Sequence, residues 1–325
     1  MKDLFSNISG VAEVRENEPL ASHTTFQIGG PCDLMVFPET PEAFAEVLRV
    51  CRTNDIDALV LGKGSNMLVS DKGIRGVVIA TERLQHLVVD GCSVTASAGL
   101  SLINVSKATA ELGLTGLEFA SGIPGSIGGA CYMNAGAYDG EMKDVITSVT
   151  VLDESGEICE IPADEMRFSY RHSRLKDEPL ICLAVTMQLA HGEKSEILAK
   201  IADLSVRRAD KQPLEMASAG STFKRPPGHF AGPLIIDSGM QGYRVGGAQV
   251  STKHAGFLVN TGGATADDVI TLIHDVQAAV LRKFDVRLET EVRFIGEWNE
   301  HPLYHEILKV EYWKITVTGN KRPGR

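Results

Sequence analysis

The stretch SGIPGSIGGACYMNAGAYDGE, residues 121–141, is unusually rich in glycine. It holds six glycines and one proline, and its first charged residue is Asp139. Glycine loses more backbone freedom on folding than any other residue, so such a dense cluster is unfavourable unless the chain needs it. We therefore expect a ligand to come so close to this backbone that side chains would be in the way.

A second glycine loop, LGKGSN at residues 61–66, follows a predicted strand directly. A Rossmann fingerprint would need glycine where Met67 stands, and a Walker A loop would need serine or threonine where Gly64 stands. Either glycine loop alone could be a tight turn between strands. Together, their backbone N–H groups and serine hydroxyls favour a phosphate ligand, and two such loops suit the diphosphate of a dinucleotide.

The charge balance argues against two classes of partner. The chain has 325 residues, a formal net charge of −10 and a pI of about 5.4. Nucleic acid and anionic membranes are therefore not expected as the main partner. The apolar share of 43% and the length predict a globular protein, more readily of two domains than of one.

The cysteines and the N-terminal region predict a cytoplasmic protein. The six cysteines form no C-x-x-C pair, so we interpret them as buried thiols of a reducing compartment. The N-terminal region lacks the apolar core of a signal peptide, and no apolar run approaches the length of a membrane span. Four histidines lack the spacing of metal ligands, and we expect no metal: His23, His172, His229 and His254.

Hydrophobic periodicity predicts alternating helices and strands, which favours α/β or α+β layering. Helices are predicted at 41–53, 101–114, 193–211 and 265–284. Strands are predicted at 57–62, 76–81, 180–189 and 285–298. A hairpin is predicted around Asp90-Gly91, and a second one over residues 148–161.

Six blocks of the sequence, in order, resemble the UDP-N-acetylenolpyruvoylglucosamine reductases, the FAD-dependent MurB family of bacterial cell-wall precursor synthesis. The resemblance extends from about Ser22 to Trp298. The blocks are HTTFQIGGPCDLMV (23–36), LGKGSNMLVSDKGIRGVVI (61–79), SGIPGSIGGACYMNAGAYDGEM (121–142), SYRHSRLK (169–176), AGSTFKRP (219–226) and LETEVRFIGEW (288–298).

This resemblance implies an α+β protein of two domains. The first, at 22–192, would be an FAD-binding domain of the vanillyl-alcohol-oxidase/p-cresol-methylhydroxylase type, with two α/β subdomains. A C-terminal α+β substrate-binding domain would follow at 193–298, and residues 1–21 would form an N-terminal segment. The chain resembles the shorter subtype, without an inserted tyrosine loop. Residues 299–325 match nothing in the family; we expect a disordered end and assign it no role.

The resemblance also implies the reaction and its small-molecule partners. NADPH would pass hydride to bound FAD, which would then reduce UDP-N-acetylglucosamine enolpyruvate to UDP-N-acetylmuramate. No protein partner is predicted. The residues implied to hold FAD are Gly62, Lys63, Gly64, Ser65, Asn66, Ser121, Gly122, Pro124, Gly125, Ser126 and Gly128. We expect neutral backbone and serine groups to hold the diphosphate, since no basic run lies near either loop.

Three residues match the catalytic positions of the family. Arg171 would hold the substrate carboxylate and stabilise the enediolate, Ser221 would donate a proton, and Glu291 would lie at the carboxylate and be protonated in the reactive complex. Strand alternation places Glu291 and Arg293 on one face. The predicted substrate-binding residues are Tyr170, Lys211, Arg225 and Arg293.

Each of these residues also has an ordinary interpretation. Arg171 could form a surface ion pair, Ser221 could belong to a turn, and Glu291 could face solvent. Two other functions stay open beside the reductase. One is a flavin oxidase that uses another substrate and oxygen, and the other is a nucleotide-binding protein without activity.

Overall fold

The computed structural model describes residues 1–298, so the expectation for residues 299–325 falls outside it. Within residues 1–298, none of the helices combines the length and the apolar character that a membrane span requires. The helices are α1 Asp3–Ser6, α2 Pro41–Thr53, α3 Leu102–Glu111, α4 Ile127–Met133, α5 Lys194–Lys211, α6 Ala231–Asp237 and α7 Ala266–Phe284. The strands are β1 Val11–Pro19, β2 Pro31–Pro38, β3 Ala58–Leu61, β4 Met67–Val69, β5 Ile74–Ala80, β6 Leu87–Asp90, β7 Ser93–Ser97, β8 Leu114–Thr115, β9 Gly136–Ala137, β10 Gly140–Glu141, β11 Ile146–Leu152, β12 Ile158–Pro162, β13 Ile181–Gln188, β14 Ala190–His191, β15 Ala217–Ser221, β16 Arg244–Val245, β17 Ala248–Val250, β18 Phe257–Asn260 and β19 Arg293–Ile295.

The first sheet has the strand order β1-β2-β5-β3 and carries helix α2. Strands β2, β5 and β3 run parallel, and β1 joins the edge antiparallel. The Thr40 hydroxyl accepts the Ala43 N–H at 3.1 Å, and proline occupies the first turn, so the predicted helix 41–53 begins where expected. Its apolar face, with Phe44, Val47 and Leu48, is fully buried against the sheet.

The second sheet is antiparallel throughout, with the strand order β12-β11-β13-β7-β6. Both predicted hairpins are present. The first turns at Gly91-Cys92, one residue later than predicted, because Asp90 still pairs with Ser93. Helices α3 and α4 share its core, which places the glycine-rich residues 121–141 directly beside the sheet.

The third sheet, ordered β15-β18-β17-β16, packs against α6 and α7. Thr265 and Asp268 form a capping box at the start of α7, each side chain accepting the other residue's backbone N–H. The buried face of α7 includes Val269, Ile273 and Val276 and forms the centre of this core.

Several contacts connect the C-terminal region to the part of the chain around β4, among them a strand pair and a carboxylate hydrogen bond. Strand β19 pairs in parallel with β4, with Arg293 opposite Met67. The Asp71 carboxylate, just after β4, accepts the Ala266 N–H at the start of α7, at 2.9 and 3.0 Å. These contacts hold the C-terminal region against β4 and the segment after it, and residues of all three larger sheets line a large cavity.

Two expectations from the sequence need correction. Only Arg293–Ile295 of the strand predicted at 285–298 is a strand, because its partner β4 is equally short. The predicted N-terminal segment, residues 1–21, includes β1, the edge strand of the first sheet. Cys159 is exposed on β12, whereas Cys32, Cys51, Cys131 and Cys182 are buried thiols as predicted and Cys92 is half-buried. The domain boundary at residue 193 stays a prediction.

Candidate active site

A cavity of about 1040 Å³ brings the two glycine loops and the candidate catalytic residues together. Its volume lies just above the usual range for ligand pockets, about 300–1,000 Å³. The predicted residues that line it are Gly62, Lys63, Gly64, Ser65, Asn66, Gly122, Pro124, Gly125, Ser126, Gly128, Arg171, Ser221, Glu291 and Arg293. Ser121, Tyr170, Lys211 and Arg225 are not among the residues lining the cavity.

The glycines allow the two loops to approach each other closely. This contact is a reason for the glycines in addition to the close approach of a ligand predicted from the sequence. A Cβ on Gly62 would lie 2.4 Å from Ser126 Oγ, in the other loop. That hydroxyl also accepts the Gly129 N–H at 3.2 Å and caps helix α4. A Cβ on Gly128 would lie 2.8 Å from the Cβ of Ala98. Protein atoms, and not only a ligand, therefore exclude side chains here.

Arg171 is presented at the tip of a tight turn. The backbones of Ser169 and His172 exchange two hydrogen bonds of 3.1 Å, which leaves Tyr170 and Arg171 at the turn. Arg171 has a φ of +56°, a left-handed conformation that is strained for a residue other than glycine, asparagine or aspartate. Strain of this kind concentrates at functional sites, and here it directs the guanidinium to the cavity wall.

Residues of the glycine-rich stretch hold this turn in place. The buried Asn134, at the end of α4, donates through its side-chain amide to the Ser169 carbonyl at 3.0 Å. The Ser173 hydroxyl donates to the Tyr132 carbonyl at 2.8 Å. The stretch predicted to approach a ligand therefore also fixes the position of Arg171.

Arg171 and Glu291 form a partly buried ion pair in the cavity wall. Arg171 Nε donates to Glu291 Oε1 at 2.6 Å, and their side chains are 24% and 13% exposed. Burial raises the pKa of the Glu291 carboxyl above its ordinary value of 4.5, while the Arg171 guanidinium opposes that rise. The raised pKa means that desolvation outweighs the attraction, so protonation of Glu291 is easier here than in water.

The backbone of Glu291 connects the catalytic candidates. Its N–H donates to the Thr222 carbonyl at 2.8 Å, next to Ser221. Its carbonyl accepts the Asn66 side-chain amide at 3.1 Å. Ser221 is exposed at the end of β15, so its hydroxyl is accessible from the cavity. One set of hydrogen bonds thus connects the first glycine loop, Glu291 and Thr222, the residue that follows Ser221.

Two cations flank Tyr132, which the sequence did not single out. The Arg293 guanidinium and the Lys176 ammonium lie 4.9 and 5.3 Å from its ring centre. Tyr132, Arg293, Arg171 and Glu291 all line the cavity. Glu291 and Arg293 therefore face one cavity as predicted, although Glu291 precedes strand β19 and is not placed by strand alternation.

The remaining predicted substrate-binding residues lie outside the residues that line the cavity. The Tyr170 hydroxyl accepts the Arg225 backbone N–H at 3.3 Å, and the Tyr170 ring centre lies 5.0 Å from the Arg171 guanidinium. Arg225 stacks on the exposed Phe230 at 4.0 Å. Lys211 is exposed at the end of α5.

Arg208 is a second functional candidate that the sequence reasoning missed. It lines the cavity from α5, with Nε donating to the Gln212 side chain at 2.8 Å. Its Nη1 atom is buried and has no hydrogen-bond partner within residues 1–298. The sequence contains a signal that could have identified Arg208, because this residue continues the helical spacing of the buried Ile197, Ile201 and Leu204.

The residues present fit a flavin dinucleotide. The cavity combines two glycine loops with apolar side chains of β3 and β13, among them Leu59, Val60 and Ile181. It also offers a buried guanidinium nitrogen without a partner among the described residues. A ligand with a large apolar ring system and an anionic group would satisfy both kinds of surface.

Comparison with known proteins agrees with this assignment. Residues 32–162 match the FAD binding domain family, and residues 212–295 match the C-terminal domain of UDP-N-acetylenolpyruvoylglucosamine reductase. The reductase of that name from Pediococcus pentosaceus is 49% identical over 88% of this chain and 95% of its own length. One from Listeria monocytogenes is 50% identical over 91% of this chain and 99% of its own.

A solved structure agrees at the level of the fold. The crystal structure of UDP-N-acetylenolpyruvylglucosamine reductase (MurB) from Thermus caldophilus superposes with a TM-score of 0.75. It is 36% identical and covers 87% of this chain and 98% of its own. The sequence identity to these reductases and the geometry of the cavity together show that the chain belongs to the UDP-N-acetylenolpyruvoylglucosamine reductase family.

Proposed function

We propose that Arg171, Ser221 and Glu291 carry out the reductase reaction of this FAD-binding oxidoreductase, with NADPH as co-substrate and UDP-N-acetylglucosamine enolpyruvate as substrate. The product would be UDP-N-acetylmuramate, a peptidoglycan precursor. The observation that carries this proposal is the Arg171–Glu291 pair at 2.6 Å, in the wall of the cavity that both glycine loops line.

The glycine loops 62–66 and 121–128 would hold the FAD. When bound, FAD supplies the hydride transfer that connects the two nucleotide substrates. The contact between Gly62 and Ser126 keeps the two loops together, so both can face one ligand. The apolar strands beside them would exclude water from the ring system.

Arg171 would bind the carboxylate of the enolpyruvyl group. Its guanidinium is always charged and can make two parallel hydrogen bonds to a carboxylate. Charge that develops on this carboxylate during reduction would be stabilised by a cation already in position. The left-handed turn at Arg171, held by Asn134, supports such preorganisation.

Glu291 would orient Arg171 and lie beside the substrate carboxylate. The Nε of Arg171 is engaged with Glu291, which leaves its terminal nitrogens for the substrate. A second carboxylate arriving next to Glu291 would raise its pKa further, in the direction in which burial already acts. Glu291 would then bind a proton in the substrate complex and donate it in a hydrogen bond.

Ser221 would supply the final proton to the carbon next to the carboxylate. A serine hydroxyl is a weak acid, but a carbanion-like carbon is a strong base, so the transfer needs little additional driving force. Its exposure at the end of β15 gives it access to the cavity.

The uridine diphosphate portion of the substrate would extend toward Arg293, Tyr170 and Arg225. Arg293 lines the cavity, the Tyr170 ring contacts the Arg171 guanidinium, and the Tyr170 hydroxyl accepts the Arg225 backbone N–H. Lys211 would contribute to substrate binding from the end of α5.

We also propose the division of the chain into an FAD-binding domain at 22–192 and a substrate-binding domain at 193–298. We propose in addition that the protein is located in the cytoplasm and has a role in cell shape and division.

An anaerobic visible spectrum of the purified protein tests the function. We expect flavin absorbance that bleaches on addition of NADPH and returns on addition of UDP-N-acetylglucosamine enolpyruvate. Absorbance that bleaches but returns only with oxygen would point to an oxidase and refute the proposed substrate. A colourless protein that cannot be reconstituted with FAD would refute the cofactor assignment.

A further inference from the structure

The partner of Arg208 is missing from residues 1–298. Its Nε binds the Gln212 side chain, but its Nη1 is buried and has no hydrogen-bond partner there. Burial lowers the pKa of this guanidinium, and no carboxylate of the described residues counteracts that effect. A buried charge without a counter-charge is strongly unfavourable, so this position needs an anion that residues 1–298 do not supply.

The position of Arg208 shows where that anion would lie. A Cβ on Gly122 would come within 2.8 Å of both Arg208 Cδ and Nη1, so only glycine allows this approach. Both residues line the cavity. The preceding Arg207, in contrast, is exposed and pairs with Asp203 at 2.8 Å. Two consecutive arginines of α5 therefore have different surroundings, and only Arg208 lies against a glycine loop.

We propose that Arg208 is the cation that binds the diphosphate of FAD. A guanidinium can make two parallel hydrogen bonds to phosphate oxygens, which suits an anion held between loops that offer backbone groups. This proposal rests on the proposed function, because it takes FAD as the ligand of the cavity. It also replaces the expectation that neutral groups alone hold the diphosphate.

The diphosphate of the nucleotide substrate offers the same chemistry. The contact with Gly122 favours the cofactor, since Gly122 belongs to the loop assigned to FAD and lies in the same sequence stretch as the Ser126 cap. Binding experiments with each ligand separately distinguish the two sources.

The test compares Arg208→Gln with Arg207→Gln, a neighbouring arginine outside the cavity. After removal of FAD, each apoprotein is titrated with FAD by flavin fluorescence at low and high salt. We expect Arg208→Gln to raise the Kd for FAD by about 10- to 100-fold, because a charge-assisted hydrogen bond is lost. The Kd of this variant should also depend less on the salt concentration. Arg207→Gln should bind FAD like the unmodified protein, and Arg208→Lys should retain part of the affinity.

The thermal stability of the apoprotein separates a ligand role from a structural one. Since Arg208→Gln removes a buried unpaired charge, its apoprotein should unfold at the same or a higher temperature than the unmodified apoprotein. The increase in Tm on adding FAD should become smaller. A lower apoprotein Tm with unchanged FAD binding would show a structural role and overturn the proposal.

Two further outcomes are decisive. Equal FAD affinity combined with weaker binding of UDP to the holoenzyme would assign Arg208 to the substrate diphosphate and refute the cofactor role. If the unmodified apoprotein binds no FAD, the proposed function itself fails, independently of Arg208.

Discussion

Replacing Ser221 with alanine should separate the two halves of the reaction. The substitution removes one hydroxyl from an exposed residue at the end of β15, so the free energy of unfolding should change by no more than about 0.5 kcal/mol. If this hydroxyl donates the proton, its loss should slow that half-reaction by about 10²- to 10⁴-fold. This corresponds to about 2.7–5.5 kcal/mol in the activation barrier.

Anaerobic stopped-flow absorbance measures both half-reactions of the Ser221→Ala protein. Bleaching by NADPH should keep nearly its normal rate, whereas the return of flavin absorbance with the enolpyruvyl substrate should slow by the stated factor. Ser218→Ala is the matched control, because Ser218 lies on the same strand and lines the same cavity. Equal rates of return in the two variants would refute the role assigned to Ser221.

Further predictions concern Glu291 and the contact between the glycine loops. Since burial raises the Glu291 pKa above 4.5, the folded protein binds this proton more tightly, and its contribution to stability is lost as pH rises through the folded pKa. Glu291→Gln should therefore have a higher Tm than the unmodified protein at neutral pH, and this difference in Tm should disappear in acid. Turnover should fall at least about 100-fold. A difference in Tm that stays the same across pH would contradict the prediction. Gly62→Ala should lower the free energy of unfolding by about 1–2 kcal/mol in urea, because its Cβ would displace the Ser126 hydroxyl from its capping bond. Gly232→Ala should not lower the free energy of unfolding, because its Cβ meets no atom closer than 4.0 Å. An equal loss of stability in the two variants would refute the explanation.

Helices could be predicted from the sequence because their signals are local. The apolar spacing and Pro41 predict a helix at 41–53, where the structure has α2. The acidic first turn and basic last turn predict a helix at 265–284, and the structure has α7 there, with Thr265 as its capping residue. Each of these elements carries its own start and its own buried face within a few turns.

The geometry of the site depends on contacts that no local pattern encodes. Arg171 and Glu291 are 120 positions apart, and Asn66 and Glu291 are 225 positions apart. Only the resemblance to a family could bring them together at the level of sequence. Arg208 is different, since the helical spacing of α5 placed it on the buried face and could have distinguished it from Arg207.

The parallel pair of β4 and β19 constrains when the cavity can be completed during biosynthesis. The first glycine loop precedes β4 directly, and Asn66 in that loop binds Glu291, 225 positions later. At a synthesis rate of about 5–20 residues per second, the partner strand is made roughly 10–45 s after the loop. The nascent chain therefore has to keep this loop unpaired until β19 leaves the ribosome. Closure of the cavity therefore waits until β19 has been made, even though both glycine loops that line it belong to the first half of the 325 residues.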